Sequence, residues 1–263
     1  MNKKNFLIKK PFLDEPSQFK PENLLREARR QRNIPDCPVP KVCMLDPDGD
    51  IVEYLLRSKK AQLNSCWSCY HTKMYEFNNQ GVKTGIIGCA VGSSFAVLLA
   101  EQLFVSGCEL LISVTSAGII NQPQQPYTQF LLITEALRDE GTSYHYLPAG
   151  QKSHLNNRLF EKIVALVTMN EFNLEHGKSW TTDAPYRETA VAIAKAKDYG
   201  AVAVEMEAAA LYAFSAVKEK PVICYAHLTN TMAREGDDFE KGAENGSLAS
   251  LNLVAETVKV ALL

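Results

Sequence analysis

The chain has 263 residues, of which 46% are hydrophobic and 22% are charged, and its formal net charge is −2. This is the composition of an ordinary globular protein that can bury one sizeable core. The near-neutral charge argues against nucleic acid and anionic membranes as partners, because both require concentrated lysine and arginine. The sequence has no run of about 18 apolar residues to span a membrane, and its basic start lacks the apolar core of a signal peptide.

Segments with strand-like and helix-like patterns alternate along the chain. Helices are predicted over residues 21–29, 51–61, 93–105, 156–169, 208–217 and 246–263. Strands are predicted over residues 41–45, 82–88, 110–114, 130–134, 173–180, 201–204 and 221–226. Such alternation is typical of an α/β layered fold. We expect one domain over residues 1–263, in which residues 1–40 form an N-terminal helical extension and linker.

The cysteines bear on the cellular compartment. They are odd in number, scattered and mostly within apolar stretches, which favours a reducing cytoplasm. Cys66 and Cys69 have the C-x-x-C spacing of a redox pair or of half a zinc site. Because no second pair follows at zinc-finger spacing, we expect a structural role for both and no metal site.

Two carboxylates and a methionine lie where a predicted strand turns into a predicted helix. Glu205, Met206 and Glu207 follow the apolar residues 201–204 and precede an alanine-rich stretch. We expect both glutamates in the first helical turn, where unpaired N–H groups and the helix dipole favour negative charge. The spacing alone fits helix-terminal acids as well as it fits a binding site.

The string Glu-Met-Glu followed by small residues resembles the ribose-binding signature of the nucleoside phosphorylase family. This family comprises the purine and uridine phosphorylases and their nucleosidase relatives. The likeness extends from Leu45 to the terminal helix and is closest to a divergent uridine-phosphorylase-like branch. It implies a three-layer α/β/α sandwich with a central mixed β-sheet. It also implies a homodimer or a trimer of dimers, a nucleoside and inorganic phosphate as ligands, and no metal or organic cofactor.

The resemblance assigns roles residue by residue. Glu207 and Arg187 are the expected catalytic residues, since a cation can stabilise negative charge on the departing base. The implied ribose contacts are Glu205, Met206, Glu207 and His145, and the implied phosphate contacts are Gly88, Ser93 and Ser116. The implied base contacts are Thr115, Asp183, Tyr186, Arg187 and Asn230, and Trp180 offers a second flat face for stacking.

Several of these residues also have structural interpretations. The glycine-containing turn around Gly88 is a tight turn in its own right. His145 fits an internal histidine, Asp183 fits the cap of the next helix, and Arg187 fits a surface ion pair with Glu188. The sequence alone leaves these alternatives open.

Departures from the family pattern concern the phosphate and the base. Ser113 stands where uridine phosphorylases have an arginine, and residues 46–50, Asp-Pro-Asp-Gly-Asp, replace an arginine-containing turn. His71 and Lys73 lie where a third arginine is expected. An acid-rich turn repels phosphate. Asn230 replaces the aspartic acid with which purine enzymes protonate the base, which favours a pyrimidine.

The expected function is therefore phosphorolysis of the N-glycosidic bond of a ribonucleoside, with uridine or a related pyrimidine nucleoside as substrate. Two alternatives remain open. Loss of the phosphate arginines leaves water as a nucleophile, which would make the protein a hydrolase. A protein that kept the ribose pocket and lost catalysis would bind nucleosides without turnover.

Overall fold

The computed structural model describes residues 13–123, 129–150, 152–169, 172–230 and 241–262. The helices within these ranges are α1 (Pro21–Arg32), α2 (Asp50–Arg57), α3 (Ser93–Val105), α4 (Asn157–Met169), α5 (Ala190–Tyr199), α6 (Ala208–Lys218) and α7 (Ser247–Ala261). The strands are β1 (Val42–Asp46), β2 (Ala61–Leu63), β3 (Tyr75–Asn79), β4 (Val82–Gly88), β5 (Leu110–Ile119), β6 (Phe130–Asp139), β7 (Lys152–His154), β8 (Leu174–Thr182), β9 (Ala201–Glu205) and β10 (Val222–Asn230).

Four neighbouring parallel strands form the centre of the sheet. They lie in the order β4, β1, β5, β10. All five residues of β1 are buried, as are the first eight of β10. Strands covered on both faces by helices are expected to be apolar throughout. Because the four strands are parallel, their carboxyl ends meet at one edge of the sheet, where ligands bind in open α/β sheets.

The sheet is mixed, and part of it closes on itself. β10 pairs with β6 antiparallel, β6 pairs with β8 parallel, and β8 pairs with β9 parallel. β9 returns to β5 antiparallel, with Val204 opposite Gly118. β5, β10, β6, β8 and β9 therefore form a ring, while β3 and β2 extend the sheet on the other side. The mixed central sheet agrees with the prediction.

The helices pack in two groups. α1 contacts α3, and α3 contacts α6. α2 contacts α7, and α7 contacts α4. These groups form the helical layers of the sandwich, so the predicted fold class is confirmed. Among the described residues, no helix is long and apolar enough to cross a membrane.

The element predictions were accurate where apolar patterns were strong. β4 and α3 have the predicted bounds. α2 ends at Arg57 rather than residue 61, and Lys59 then takes a left-handed conformation with a φ of 56°. β6 extends to Asp139, five residues beyond the predicted end at residue 134. The short or polar elements β2, β3, β7 and α5 were not predicted.

The polar end of β6 is held in the sheet by its own charged side chains. Glu135 binds Lys152 of β7 at 2.9 Å and Lys178 of β8 at 3.2 Å. The Tyr199 hydroxyl donates to the same carboxylate at 2.8 Å. These bonds lower the pKa of Glu135 to about 2, although partial burial opposes the shift. The prediction of β6 relied on apolar residues and stopped at residue 134. Ion pairs with the neighbouring strands hold the more polar part that follows.

A disulfide joins Cys37, in the segment after α1, to Cys66, in the loop between β2 and β3. Cys69 is a free, buried thiol that accepts a hydrogen bond from the His71 N–H. Cys66 and Cys69 therefore do not pair with each other. Disulfides persist mainly in oxidising compartments. The disulfide does not agree with the reducing cytoplasm that the cysteine pattern favoured, and the cytoplasmic location stays a prediction.

Replacing Cys37→Ser tests the contribution of this disulfide. The bond closes a loop with a sequence separation of 29, so its loss should lower the free energy of unfolding by about 3–4 kcal/mol. Urea denaturation should show this loss without reductant. With reductant, wild type should fall to the level of the variant, whose own stability should not change. Equal stability of the two proteins without reductant would contradict the prediction.

Candidate active site

The carboxyl ends of the four parallel strands bring together segments that are distant in sequence. β1 leads into the turn 46–50, β4 into the turn 88–92, and β10 ends at Asn230. His227 lies opposite Ser116 of β5 in the sheet register. The carboxyl end of β9 joins this edge, because β9 pairs with the last residues of β5. The resulting edge carries most of the polar residues that the sequence singled out.

Glu205 is the last residue of β9, not a residue of the following helix, and is 3% exposed. One carboxylate oxygen accepts hydrogen bonds from the hydroxyls of Ser179, at 2.9 Å, and Thr181. The other accepts from the N–H groups of Glu207 and Ala208, both at 2.7 Å. All four donors belong to the protein. Glu205 therefore caps the N-terminus of α6 from the preceding strand.

Glu207 occupies the N-cap position of α6, one residue before the first helical turn in which the sequence predicts it. Its Oε1 accepts the Gly92 N–H at 2.7 Å. Its Oε2 is buried and has no hydrogen-bond partner among the described residues. Burial, reinforced by the nearby Glu205 charge, raises the pKa of Glu207 to about 8, although the Gly92 N–H and the Thr115 hydroxyl oppose this shift. One oxygen is thus fixed by the protein and the other is left for a ligand.

The glycine-containing turn is bonded to the Glu-Met-Glu segment. The Ser93 hydroxyl donates to the Met206 carbonyl at 2.7 Å, beside the Gly92–Glu207 bond. Gly92 has a φ of 93°, a conformation that suits glycine. A side chain at Gly88 would approach Val52 of α2 to 3.0 Å, so this glycine also permits close packing. In this structure Gly88 and Ser93 serve the packing of the site, and their phosphate roles stay predictions.

The acidic turn after β1 adds a carboxylate to this edge. Asp46 is buried and accepts the N–H groups of Gly49, at 3.1 Å, and Val52, at 2.9 Å. Burial raises the pKa of Asp46 to about 7. Asp48 reaches across to β5, where its Oδ2 accepts the Ser116 N–H at 2.9 Å. The predicted phosphate donor Ser116 is thus bonded to a carboxylate of the same chain.

Two residues that the sequence analysis did not select lie beside this turn. Lys241 Nζ is 2.5 Å from Asp50 Oδ2 and 3.6 Å from Asp48 Oδ1. His227 is 5% exposed, and its ring stacks on Phe130 with centroids 5.0 Å apart. Burial, together with the Lys241 charge, lowers the pKa of His227 to about 4, so its imidazole is neutral at pH 7. The sequence places Lys241 nearly 200 residues from Asp48 and carried no signal for this contact.

The loop that follows β6 is organised by internal bonds. Arg138 donates to the Ser143 hydroxyl and to the Pro148 carbonyl, both at 2.8 Å. His145 is exposed, at the end of a short 3₁₀ turn, rather than internal. Asp183 accepts the Gly141 N–H at 2.9 Å and so joins this loop to the one after β8. It does not cap α5, whose N-cap is Thr189.

The expected base-stacking residues have contrasting positions. Trp180 is 3% exposed, and its Nε1 donates to Asp139 at 3.0 Å, so it belongs to the core rather than to an open stacking face. Tyr186 is fully exposed on the 3₁₀ turn Pro185–Arg187. Arg187 is exposed on the same turn, and its guanidinium makes no hydrogen bond or ion pair with the described residues, Glu188 included. Neither Tyr186 nor Arg187 bonds to the Glu207 segment.

Two further base-site candidates lie on adjacent strands. Thr115 is 7% exposed, and its hydroxyl donates to the Ser116 carbonyl at 3.3 Å. Asn230 is half-buried at the end of β10, opposite Gly118 of β5, and its amide donates to the Thr229 hydroxyl at 3.1 Å. The structure thus places Thr115 and Asn230 at the same edge as Glu207, while their contact with a base remains a prediction.

A family model described as the phosphorylase superfamily matches residues 52–259. The chain belongs to the phosphorylase superfamily. The resemblance inferred from the Glu-Met-Glu string is therefore confirmed at the level of the superfamily. Members of this superfamily are nucleoside phosphorylases or nucleosidases.

Three solved enzyme structures have folds similar to that of this chain. Uridine phosphorylase from Vibrio fischeri ES114 has a TM-score of 0.71 at 18% identity, over 84% of this chain and 92% of that chain. The 5′-methylthioadenosine/S-adenosyl homocysteine nucleosidase from Campylobacter jejuni has a TM-score of 0.67 at 16% identity, over 86% and 100%. Purine nucleoside phosphorylase from Toxoplasma gondii, in complex with immucillin-H, has a TM-score of 0.69 at 13% identity, over 85% and 91%. At these identities the likeness establishes the fold.

The contrasting hydrogen bonds of the two glutamates predict contrasting effects on stability. Glu205→Ala leaves two hydroxyls and two N–H groups without their acceptor, whereas Glu207→Ala leaves only the Gly92 N–H. Each orphaned buried donor costs about 1–3 kcal/mol. Glu205→Ala should therefore lower the free energy of unfolding by roughly 3 kcal/mol more than Glu207→Ala.

Urea denaturation of the two variants checks this difference. Both side chains are almost fully buried and have the same volume, so the cost of the cavity is matched. Equal losses of stability would show that Glu205 is not the structural member of the pair.

Proposed function

We propose that this protein cleaves the N-glycosidic bond of a ribonucleoside, and that the substrate is uridine or a related pyrimidine nucleoside. The observation that carries the proposal is the free Oε2 of Glu207 at the carboxyl edge of the sheet. A buried carboxylate oxygen without a donor is costly unless a ligand supplies one. The cis hydroxyls of ribose are donors of the required kind. Met206, half-buried and anchored through its carbonyl, offers an apolar surface for the sugar ring.

A pyrimidine base is supported by the lack of an acid at the end of β10. Asn230 has no dissociable proton, and the lowered pKa of His227 keeps its imidazole neutral at pH 7. Neither group can protonate a departing purine at neutral pH. A base that leaves as a delocalised anion, as uracil does, needs hydrogen-bond donors or a cation instead. Arg187, whose guanidinium is unpaired among the described residues, is available for that role.

Two reactions are considered, and they differ in the nucleophile that attacks the nucleoside: phosphate in phosphorolysis and water in hydrolysis. Phosphorolysis is what the resemblance implies, with Gly88, Ser93 and Ser116 as the proposed phosphate contacts. Hydrolysis is favoured by a specific observation, since the Ser93 hydroxyl and the Ser116 N–H already bond to protein acceptors. The resemblance further implies a homodimer or trimer of dimers and no cofactor beyond phosphate, and the cytoplasmic location predicted from the cysteine pattern is kept here as a proposal. These points remain part of the proposal.

The first experiment measures release of uracil from uridine, beside adenosine and inosine, with and without millimolar phosphate. Wild type should release uracil. Glu207→Gln should lower turnover at least about a hundredfold, because it removes a ligand interaction at the ribose. Glu219→Gln, a change at an exposed carboxyl where α6 ends, is the matched control and should retain activity. Binding of uridine without release from any nucleoside would favour a non-catalytic protein and contradict the enzymatic proposal.

The raised pKa of Glu207 predicts that nucleoside binding depends on pH. Ribose hydroxyls donate to the ionised carboxylate, so binding favours loss of the Glu207 proton. Affinity should therefore rise as the pH increases from 6 toward about 8, and should level off above the pKa of about 8. Below that pH, binding should release up to one proton.

Calorimetry in buffers of different ionisation enthalpy measures this proton release. Pseudouridine is a suitable ligand, because a carbon–carbon bond replaces the bond that the enzyme would cleave. Glu207→Gln, which cannot titrate, should show no such release. Affinity that falls between pH 6 and 8 in wild type would mean that protonated Glu207 donates to the ligand, contrary to this assignment.

A further inference from the structure

A carboxylate of the chain itself is bonded to a backbone donor near the end of β5. Asp48 Oδ2 accepts the Ser116 N–H at 2.9 Å. The turn can bend over β5 because Gly49 has a φ of 86°, where a Cβ would lie 2.8 Å from the Cys89 sulfur. A backbone N–H that binds a carboxylate oxygen can bind a phosphate oxygen through the same chemistry. Asp48 therefore stands where an external anion would otherwise bind.

Three further backbone donors of this edge are also bonded to carboxylates of the chain. Asp46 accepts the N–H groups of Gly49 and Val52. Glu207 accepts the N–H group of Gly92. An arriving phosphate would have to displace a carboxylate at each of these donors. Among the carboxylates of Asp46, Asp48 and Glu207, that of Asp48 is the most exposed, with 31% of its side chain accessible. A phosphate ion from solvent would therefore meet Asp48 first.

The local charge also disfavours a second anion. Lys241 is shared between Asp48, at 3.6 Å, and Asp50, at 2.5 Å. Its side chain is 15% exposed, and although burial lowers the pKa of Lys241, its bonds with Asp50 and Asp48 raise it overall, so the ammonium is charged. The neutral His227 adds no positive charge. The turn is therefore net negative, and a phosphate dianion meets repulsion there.

We infer that Asp48 selects the nucleophile of the reaction, excluding phosphate from the Ser116 N–H so that water attacks the nucleoside. This inference rests on the proposed glycosidic cleavage and makes it a hydrolysis. The water oxygen bonds to C1′ of ribose, and the electron pair of the C1′–N bond leaves with the base. One water proton ends on the base and the other stays on the new hydroxyl group. The products are free ribose and free base.

Binding of inorganic phosphate alone tests the inference without any nucleoside. Wild type, Asp48→Ala and Asp50→Ala are titrated with sodium phosphate by calorimetry, and their melting temperatures are measured with and without phosphate. The two variants lose the same charge beside Lys241, but only Asp48→Ala frees the Ser116 N–H. We expect Asp48→Ala to bind phosphate at least about tenfold more tightly than wild type and to gain thermal stability from it. Asp50→Ala should stay close to wild type.

Two results of this titration would overturn the inference. Asp48→Ala that binds phosphate no better than wild type, whether both bind it tightly or neither does, would show that Asp48 does not block an anion site. Equal gains in both variants would mean that net charge alone matters.

Product analysis with uridine completes the test. Wild type should form free ribose at a rate independent of phosphate, whereas Asp48→Ala should form ribose 1-phosphate when phosphate is present. Phosphate-dependent release by wild type would overturn the role of Asp48 and leave glycosidic cleavage intact. Absence of release from every nucleoside would instead refute the proposed function, and the phosphate titration would still decide whether Asp48 fills an anion site.

Discussion

The carboxylate of Glu205 joins the sheet to a helix that is buried along most of its length. Residues 208–215 of α6 are all buried, so the N–H groups at its start cannot be solvated by water. Glu205 accepts two of them directly, and the Thr181 hydroxyl, itself bonded to Glu205, accepts the Ala209 N–H at 3.0 Å. β8, β9 and α6 thus share one buried acceptor. The position of Met206 and Glu207 follows from this arrangement.

Glu205 and Glu207 are separated by one residue and have opposite relations to the protein. Burial raises the pKa of both carboxyl groups. Four protein donors offset that cost at Glu205, while at Glu207 the hydrogen bond from the Gly92 N–H and the nearby Thr115 hydroxyl offset it only in part. The incompletely paired group is the one from which binding is inferred, since strained or unsatisfied groups concentrate at functional sites. The motif thus combines an acid that the protein pairs fully with one that it pairs only in part, and ligand binding is proposed for the second.

How far the sequence predicted this molecule depends on the range of the interactions. The apolar runs that form β4 and α3 were sufficient for their bounds, and the Glu-Met-Glu string was sufficient for the superfamily. The split between Glu205 and Glu207 was not predictable, because it depends on Ser179 and Thr181 of another strand. The Asp48–Ser116 bond was equally hidden, since it joins residues 68 positions apart through the parallel register of β1 and β5. The sequence of residues 46–50 indicated an acidic turn, but it did not indicate that Asp48 bonds to Ser116.

The fold and the reaction are decided by different features of the same edge. Parallel strands bring the turns that follow them to one edge of the sheet. The backbone N–H groups of these turns therefore lie near one another, whatever side chains the turns carry. Which anion those donors bind depends on the charges nearby, and here carboxylates of the chain occupy Gly49, Gly92 and Ser116. A scaffold shared with phosphate-using enzymes can thus keep its donors and change its ligand. Fold likeness at low identity therefore does not identify the nucleophile, and the proposal that water attacks rests instead on the carboxylates already bonded to these donors.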